Sequence, residues 1–195
     1  MRTATITRTT RETDIALQLN LEGSGQTSLN TGVGFFDHML DALSRFALVD
    51  LTLTCRGDIQ VDAHHTVEDV GICLGRAIRE ALGDRAGIRR VGSAYLPMDE
   101  ALAFAAIDIS GRPYLAFDAD FTAPMVGAFD TQLAEEFFRA VAVNAGLTVH
   151  VKVLAGRNDH HKLEALFKAF GLALRDAAAV DPRVTGVLST KGALD

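Results

Sequence analysis

The chain has 195 residues, 48% of them hydrophobic and 23% charged, enough apolar content for a real core in one domain or two small ones. Its formal net charge of −6 argues against nucleic acid or an anionic membrane as the main partner, because both reward a basic face. Residues 1–6 lack the apolar core of a signal peptide, and no apolar run reaches the roughly 18 residues of a membrane span, so a soluble cytosolic protein is expected.

Residues 3–10 and 15–21 alternate polar and apolar side chains and read as strands. Residues 37–48 have helical spacing. Residues 51–55 and 59–63 are expected as strands flanking the turn Arg56-Gly57-Asp58, and residues 66–82 as an amphipathic helix ended by Gly83-Asp84. Strands over 102–109 and 114–121 are expected around the turn Ser110-Gly111-Arg112-Pro113. A helix over 130–144, a strand over 147–154 and a helix over 160–179 complete the series. Cys55 and Cys73 lie in apolar runs with no close partner in sequence, which predicts buried free thiols.

The order of elements repeats, and so does a motif. Leu51 leads to His64-His65, and Leu147 leads to His160-His161, both across 13 residues. Each histidine pair is followed by a glutamate three residues on, Glu68 and Glu164, and then by a long helix. Two related halves are expected, residues 1–92 and 93–195, the second carrying a C-terminal phosphate-binding segment.

At a helix start, the first histidine and the glutamate of His-His-x-x-Glu share a face, whereas the second histidine is turned by about 100°. Neighbouring imidazoles of this kind suit two metals better than one. The remaining histidines are His38 and His150, the latter expected to match Thr54 of the first half. The expectation is one two-metal site with His38, His64, His65, Glu68, His150, His160, His161 and Glu164 as ligands, keeping open positions for catalysis. Imidazole and carboxylate donors do not choose among the first-row divalent metals. An anionic substrate would need local cations, for which Arg90, Arg112, Lys168 and the segment Ser189-Thr190-Lys191-Gly192 are candidates. Glu12, just before a strand, is a candidate acid–base group, and Asp99-Glu100 a supporting acidic pair.

These segments together resemble the imidazoleglycerol-phosphate dehydratases. The carriers are Arg11-Glu12-Thr13, Gly34-Phe35-Phe36-Asp37-His38-Met39-Leu40, and Asp62-Ala63-His64-His65-Thr66-Val67-Glu68-Asp69. Pro97-Met98-Asp99-Glu100-Ala101-Leu102, Ser110-Gly111-Arg112-Pro113-Tyr114, Asn158-Asp159-His160-His161 with Glu164 and Phe167-Lys168-Ala169, and Ser189-Thr190-Lys191-Gly192 complete the set. The resemblance covers essentially the whole chain. It implies an α+β fold, an internally duplicated two-layer sandwich like the second domain of ribosomal protein S5. Each half would carry a mostly antiparallel four-stranded sheet with helices on one face.

The resemblance further implies dehydration of imidazole glycerol phosphate to imidazole acetol phosphate in histidine biosynthesis, with two Mn2+ per site. A homo-oligomer of 24 subunits, built from trimers with shared active sites, is implied as well. Metals on the ring nitrogens would favour an imidazolate able to expel the neighbouring hydroxyl. Glu12 would take the carbon-bound proton, with His38, His65 and Glu164 also in the catalytic group. Arg90, Arg112, Lys168, Ser189 and Lys191 would hold the phosphate. The chain departs from the family pattern at Phe46, where histidine is frequent, at Ala63, where aspartate is common, and at Leu188, where proline usually stands. The competing enzyme class is a binuclear metallohydrolase acting on a small phosphate ester.

Overall fold

The computed structural model describes residues 1–194. The first half forms β1 (Thr3–Thr9), β2 (Thr13–Asn20), β3 (Thr27–Asn30), α1 (Gly34–Ala47), β4 (Asp50–Gly57) and α2 (His64–Leu82). The second forms β5 (Val91–Met98), β6 (Ala101–Asp108), β7 (Tyr114–Asp118), the short strands β8 (Met125–Val126) and β9 (Phe129–Asp130), α3 (Leu133–Ala145), β10 (Thr148–Ala155) and α4 (Asp159–Ala178).

The two main sheets are copies of each other, ordered β1-β2-β4-β3 and β5-β6-β10-β7. In each, three strands run antiparallel and the last edge strand is parallel to its neighbour. The expected α+β duplication is therefore present. Alternation puts Ile15, Leu17 and Leu19 of β2, and Ala103, Ala105 and Ile107 of β6, on the buried faces. Helices cover those faces: α2 lies on β1 and β2, α4 on β5 and β6, with α1 and α3 beside them. The halves then stack helix to helix, α1 against α4 and α2 against α3, so a four-helix layer lies between two outer sheets. One continuous apolar core results. Its centre is aromatic, with the rings of Phe137 and Phe167 stacked 5.1 Å apart across α3 and α4.

The helix crossings depend on glycine. A methyl group on Gly171 of α4 would stand 2.5 Å from the Leu43 carbonyl oxygen of α1, and one on Gly75 of α2 would stand 2.8 Å from the Val141 carbonyl oxygen of α3. These equivalent positions in the two helices let the backbones approach closely.

Several expected elements differ. Residues 59–63 form a turn rather than a strand, because β4 runs through Gly57 and Val61 N–H bonds back to the Asp58 carbonyl. β6 and β7 do not pair as a hairpin; β10 lies between them. Three residues of the expected helix over 130–144 belong to β9 and the turn that precedes α3. The second sheet begins at Val91, so the division expected after residue 92 falls inside β5. No helix among the described residues is long and apolar enough to cross a membrane.

Candidate metal centre

Both histidine pairs occupy the first turn of a helix. The side chain of Asn158 caps α4 by accepting from the His160 and His161 amides, whereas Asp62 Oδ1 accepts from the His64 amide at the uncapped start of α2. Ala63 supplies no cap of its own. The rings diverge as the spacing predicts: His64 and His65 stand 6.2 Å apart at 87°, His160 and His161 6.1 Å apart at 84°. Neither pair is arranged to chelate one ion through both rings.

In the second half three donors converge. Glu164 Oε2 lies 3.2 Å from His160 Nε2 and 3.4 Å from His38 Nε2, the latter brought across by α1. These are the only His, Cys, Asp and Glu side chains among the described residues to form such a group of three, with ligand atoms within 4.8 Å of one another. Neighbouring ligands bound at about 2.1 Å to one ion stand roughly 3–3.4 Å apart, so this donor set fits a divalent metal. Glu164 is almost fully buried. Burial pushes its carboxyl up, but Lys168 and His38 outweigh that and hold it below its ordinary range. Lys168 Nζ reaches Glu164 Oε1 at 2.5 Å and sits 5.1 Å from the centre of the Phe46 ring. Phe46 therefore packs under a cation and supplies no ligand atom.

The second imidazole of each pair is oriented by a carboxylate. His161 Nδ1 is 2.8 Å from Glu100, and His65 Nδ1 is 3.0 Å from Asp58. Each carboxylate raises the pKa of its histidine, and the His161 bond together with the Asn158 and Arg157 amides draws Glu100 down to about 2. Such a pairing fixes the tautomer with hydrogen on Nδ1 and leaves the Nε2 lone pair to face a metal. Asp58 is not among the expected site residues, because the sequence places it in a turn between two expected strands. The supporting role expected for Asp99-Glu100 agrees with this geometry.

Other expected ligands stay apart in the chain. His64 is 3.8 Å from Glu68, and His65 Nε2 is 3.7 Å from Glu12 at the tip of the β1–β2 turn. His64 also lines a cavity of about 410 Å³ with Ile59, Asp62, Met125, Asp130 and Glu136. His150 lies between buried Val149 and Val151 and so points from the outer face of the second sheet, its ring 6.0 Å from Tyr114. Its counterpart is Thr52 rather than Thr54: Gln18 faces Thr52 where the equivalent Ala106 faces His150. The equal 13-residue intervals misled because the loop before α4 is shorter than the loop before α2. Six histidines thus do not meet within one chain. His38 and His160 meet; the rest lie in separate places.

The expected phosphate ligands are likewise dispersed. Arg90 grips Asp108 with two hydrogen bonds, 2.7 and 3.0 Å, and donates a third, 2.7 Å, to the Leu188 carbonyl. That bond ties down the segment bearing Leu188, and Arg90 and Ser189 line one open cleft. Ser189 Oγ accepts from the Lys191 amide. Arg112 sits in an exposed turn whose carbonyl accepts from Thr148, and Lys168 is engaged by Glu164. The cysteines are buried and free, as expected, and burial pushes both thiols up to about 11.

Comparison with known proteins gives this geometry a family. The family profile described as Imidazoleglycerol-phosphate dehydratase matches residues 31–174. The dehydratase of Symbiobacterium thermophilum is 63% identical over 193 residues, covering 99% of this chain and 93% of that protein. That of Ruminiclostridium cellulolyticum is 57% identical over 194 residues, covering both proteins fully. Among solved structures, the Staphylococcus aureus enzyme superposes with a TM-score of 0.84 at 41% identity, covering 92% of this chain and 99% of that one. The Pyrococcus furiosus enzyme, crystallised with (S)-C348, gives 0.83 at 38% identity, covering 97% and 100%. The chain belongs to the imidazoleglycerol-phosphate dehydratase family, hydro-lyases of histidine biosynthesis.

Proposed function

We propose that the chain is a cytoplasmic, metal-dependent dehydratase that converts imidazole glycerol phosphate to imidazole acetol phosphate and water, with two Mn2+ in each site. The observation that carries the reading is the convergence of His38, His160 and Glu164, set beside a second copy of the same motif at His64, His65 and Glu68. Six imidazoles and two carboxylates are enough to hold two ions, and His150 and His161 complete the set. They are dispersed in one chain, which supports sites shared between subunits of a homo-oligomer, as in a 24-subunit shell built from trimers.

Divalent ions bound there supply Lewis acidity, stabilising negative charge on the substrate's imidazole. The chain's own side chains do the rest. Glu12 stands half exposed at the tip of its turn, 3.7 Å from His65 Nε2, where a carboxylate can take a proton from carbon. The C–H electron pair becomes the new C=C bond as the hydroxyl beside the ring departs, and the resulting enol ketonises to the acetol. Glu100 and Asp58 hold the imidazoles of His161 and His65 in their working tautomers. Arg90, Arg112, Lys168, Ser189 and Lys191 supply the donors for the phosphate.

Glu12→Gln tests the assignment. Turnover should fall by about 10²–10⁴-fold while manganese content and assembly stay unchanged. Activity within a few-fold of the parent would remove Glu12 as the base. Release of free phosphate from imidazole glycerol phosphate, without the acetol product, would favour a metallohydrolase instead.

A further inference from the structure

The duplication supplies an internal control for the polar residues around Glu12. Hairpin register equates Arg8, Thr10, Glu12 and Thr13 with Leu96, Met98, Glu100 and Ala101, since Arg8 faces Ile15 where Leu96 faces Ala103. The His-His-x-x-Glu motif equates Asp69 with Ala165. In the second half Leu96, Ala101 and Ala165 are all buried and apolar, where α4 packs on the β5–β6 hairpin. In the first half the same place holds a buried carboxylate. Asp69, 6% exposed, accepts from Arg8 Nη2 at 2.8 Å and from Thr13 Oγ1 at 2.5 Å.

The fold itself does not need this network, because the second half folds the same way without it. It also carries a cost: Arg8 Nε is buried with no partner, and buried ion pairs are often matched or bettered by apolar replacements. Its reach explains its presence. Thr13 Oγ1 lies 3.3 Å from Thr10 Oγ1, which accepts from the Glu12 amide at 3.0 Å. A hydrogen-bonded chain therefore runs from the helix carrying His65 to the backbone of Glu12.

The two glutamates also differ in freedom. Glu100 is occupied, accepting from His161 and from the Arg157 and Asn158 amides. In the first half Asp58, just past its strand, takes over the histidine, where the second half has Gly156. Glu12 is thereby released from structural duty and depends on its turn for position.

We propose that Asp69 is a positioning residue that, through Arg8, Thr13 and Thr10, fixes the turn carrying Glu12 against the helix carrying His65. The inference rests on the assignment of Glu12 as base.

The test transplants the second-half residues as the triple variant Arg8→Leu/Thr13→Ala/Asp69→Ala, in the assembled manganese enzyme. Stability should stay equal or rise, manganese content and KM should change less than about threefold, and kcat should fall roughly 10²-fold, the scale of a misplaced catalytic group. In the Glu12→Gln background the same swap should cause no further loss, whereas a purely structural effect would add. Thr13→Val, which removes only the hydroxyl and leaves Asp69 one donor short, should lower kcat with manganese content unchanged and serves if the triple variant does not fold. Parent-like kcat in a folded triple variant or in Thr13→Val overturns the proposal, as does a kcat loss matched by manganese loss. If Glu12→Gln is itself active, the base assignment fails first and on its own.

Discussion

Gly171→Ala links the helix crossing to the metal centre. The new methyl would stand 2.5 Å from the Leu43 carbonyl oxygen and 3.1 Å from the Ala47 amide, where ordinary contact begins at 3.4 Å. Both neighbours are backbone and neither can swing aside, so α1 must retreat from α4 by nearly 1 Å. Two effects compete. Alanine favours the helix by about 1 kcal/mol over glycine, whereas overpacking costs about 1–3 kcal/mol. Because both obstacles are backbone, the cost falls in the upper part of that range, so the clash should win by about 1–2 kcal/mol, lowering the melting temperature by roughly 2–8 °C at this size. The same retreat carries His38 away from Glu164 and His160, now 3.4 Å and one ring contact distant. Metal sites tolerate only about 0.2 Å in ligand distance, so manganese affinity should drop roughly tenfold or more. Calorimetry of the metal-free protein and manganese titration against a competing chelator read the two effects. A variant that melts at or above the parent with unchanged manganese affinity would refute the reasoning.

Asp159→Ala should destabilise the protein by about 3–5 kcal/mol in denaturant titration, because it strands buried Lys162 and frees the Thr122 and Ala123 amides. Burial pushes the Asp159 carboxyl up, but Lys162, Ala123 and Thr122 outweigh it and hold its pKa to about 2, below the ordinary 3.8. Its contribution is therefore complete above the ordinary value and lost as pH falls from about 4 toward 2, which acid unfolding of parent and Asp159→Asn should reveal as a difference that shrinks over that window. Glu100→Gln should weaken manganese binding by roughly 10–100-fold, measured by chelator competition, since His161 loses the acceptor that sets its tautomer. Cys55 and Cys73 should resist thiol reagents in the folded protein and react only on unfolding, since burial and thiols raised to about 11 suppress the thiolate.

The duplication was legible because His-His-x-x-Glu opens a long helix twice, and side-chain alternation marked the inner strands of both sheets. Two of the edge strands, β3 and β5, were harder to see. β3 is only four residues long, and β5 contains Gly92 and Pro97, which weaken a strand pattern but are tolerated at an edge. Residues 59–63 alternate like a strand, yet Asp58 turns the chain there to meet His65. The histidine count leads to the expectation of one two-metal site, but sequence spacing cannot report which face of a sheet a residue occupies relative to a helix start. His150 shows this: it has a strand position and points away from the helices. Asp69 lay hidden for a related reason, since its partner Thr13 reaches it only through the hairpin packing on α2, whereas Asp58 meets His65 across the turn that leads into α2.

The two copies of the crossing end differently. Matching Gly75 to Gly171, with Val141 for Leu43 and Ala145 for Ala47, places Glu136 of α3 where α1 has His38. In one copy the incoming helix brings an imidazole and closes a knot of three donors. In the other it brings a carboxylate, and a cavity of about 410 Å³ remains beside His64. One end of the helix layer is therefore closed by its own chain's imidazole, whereas the equivalent place at the other end stays open beside His64.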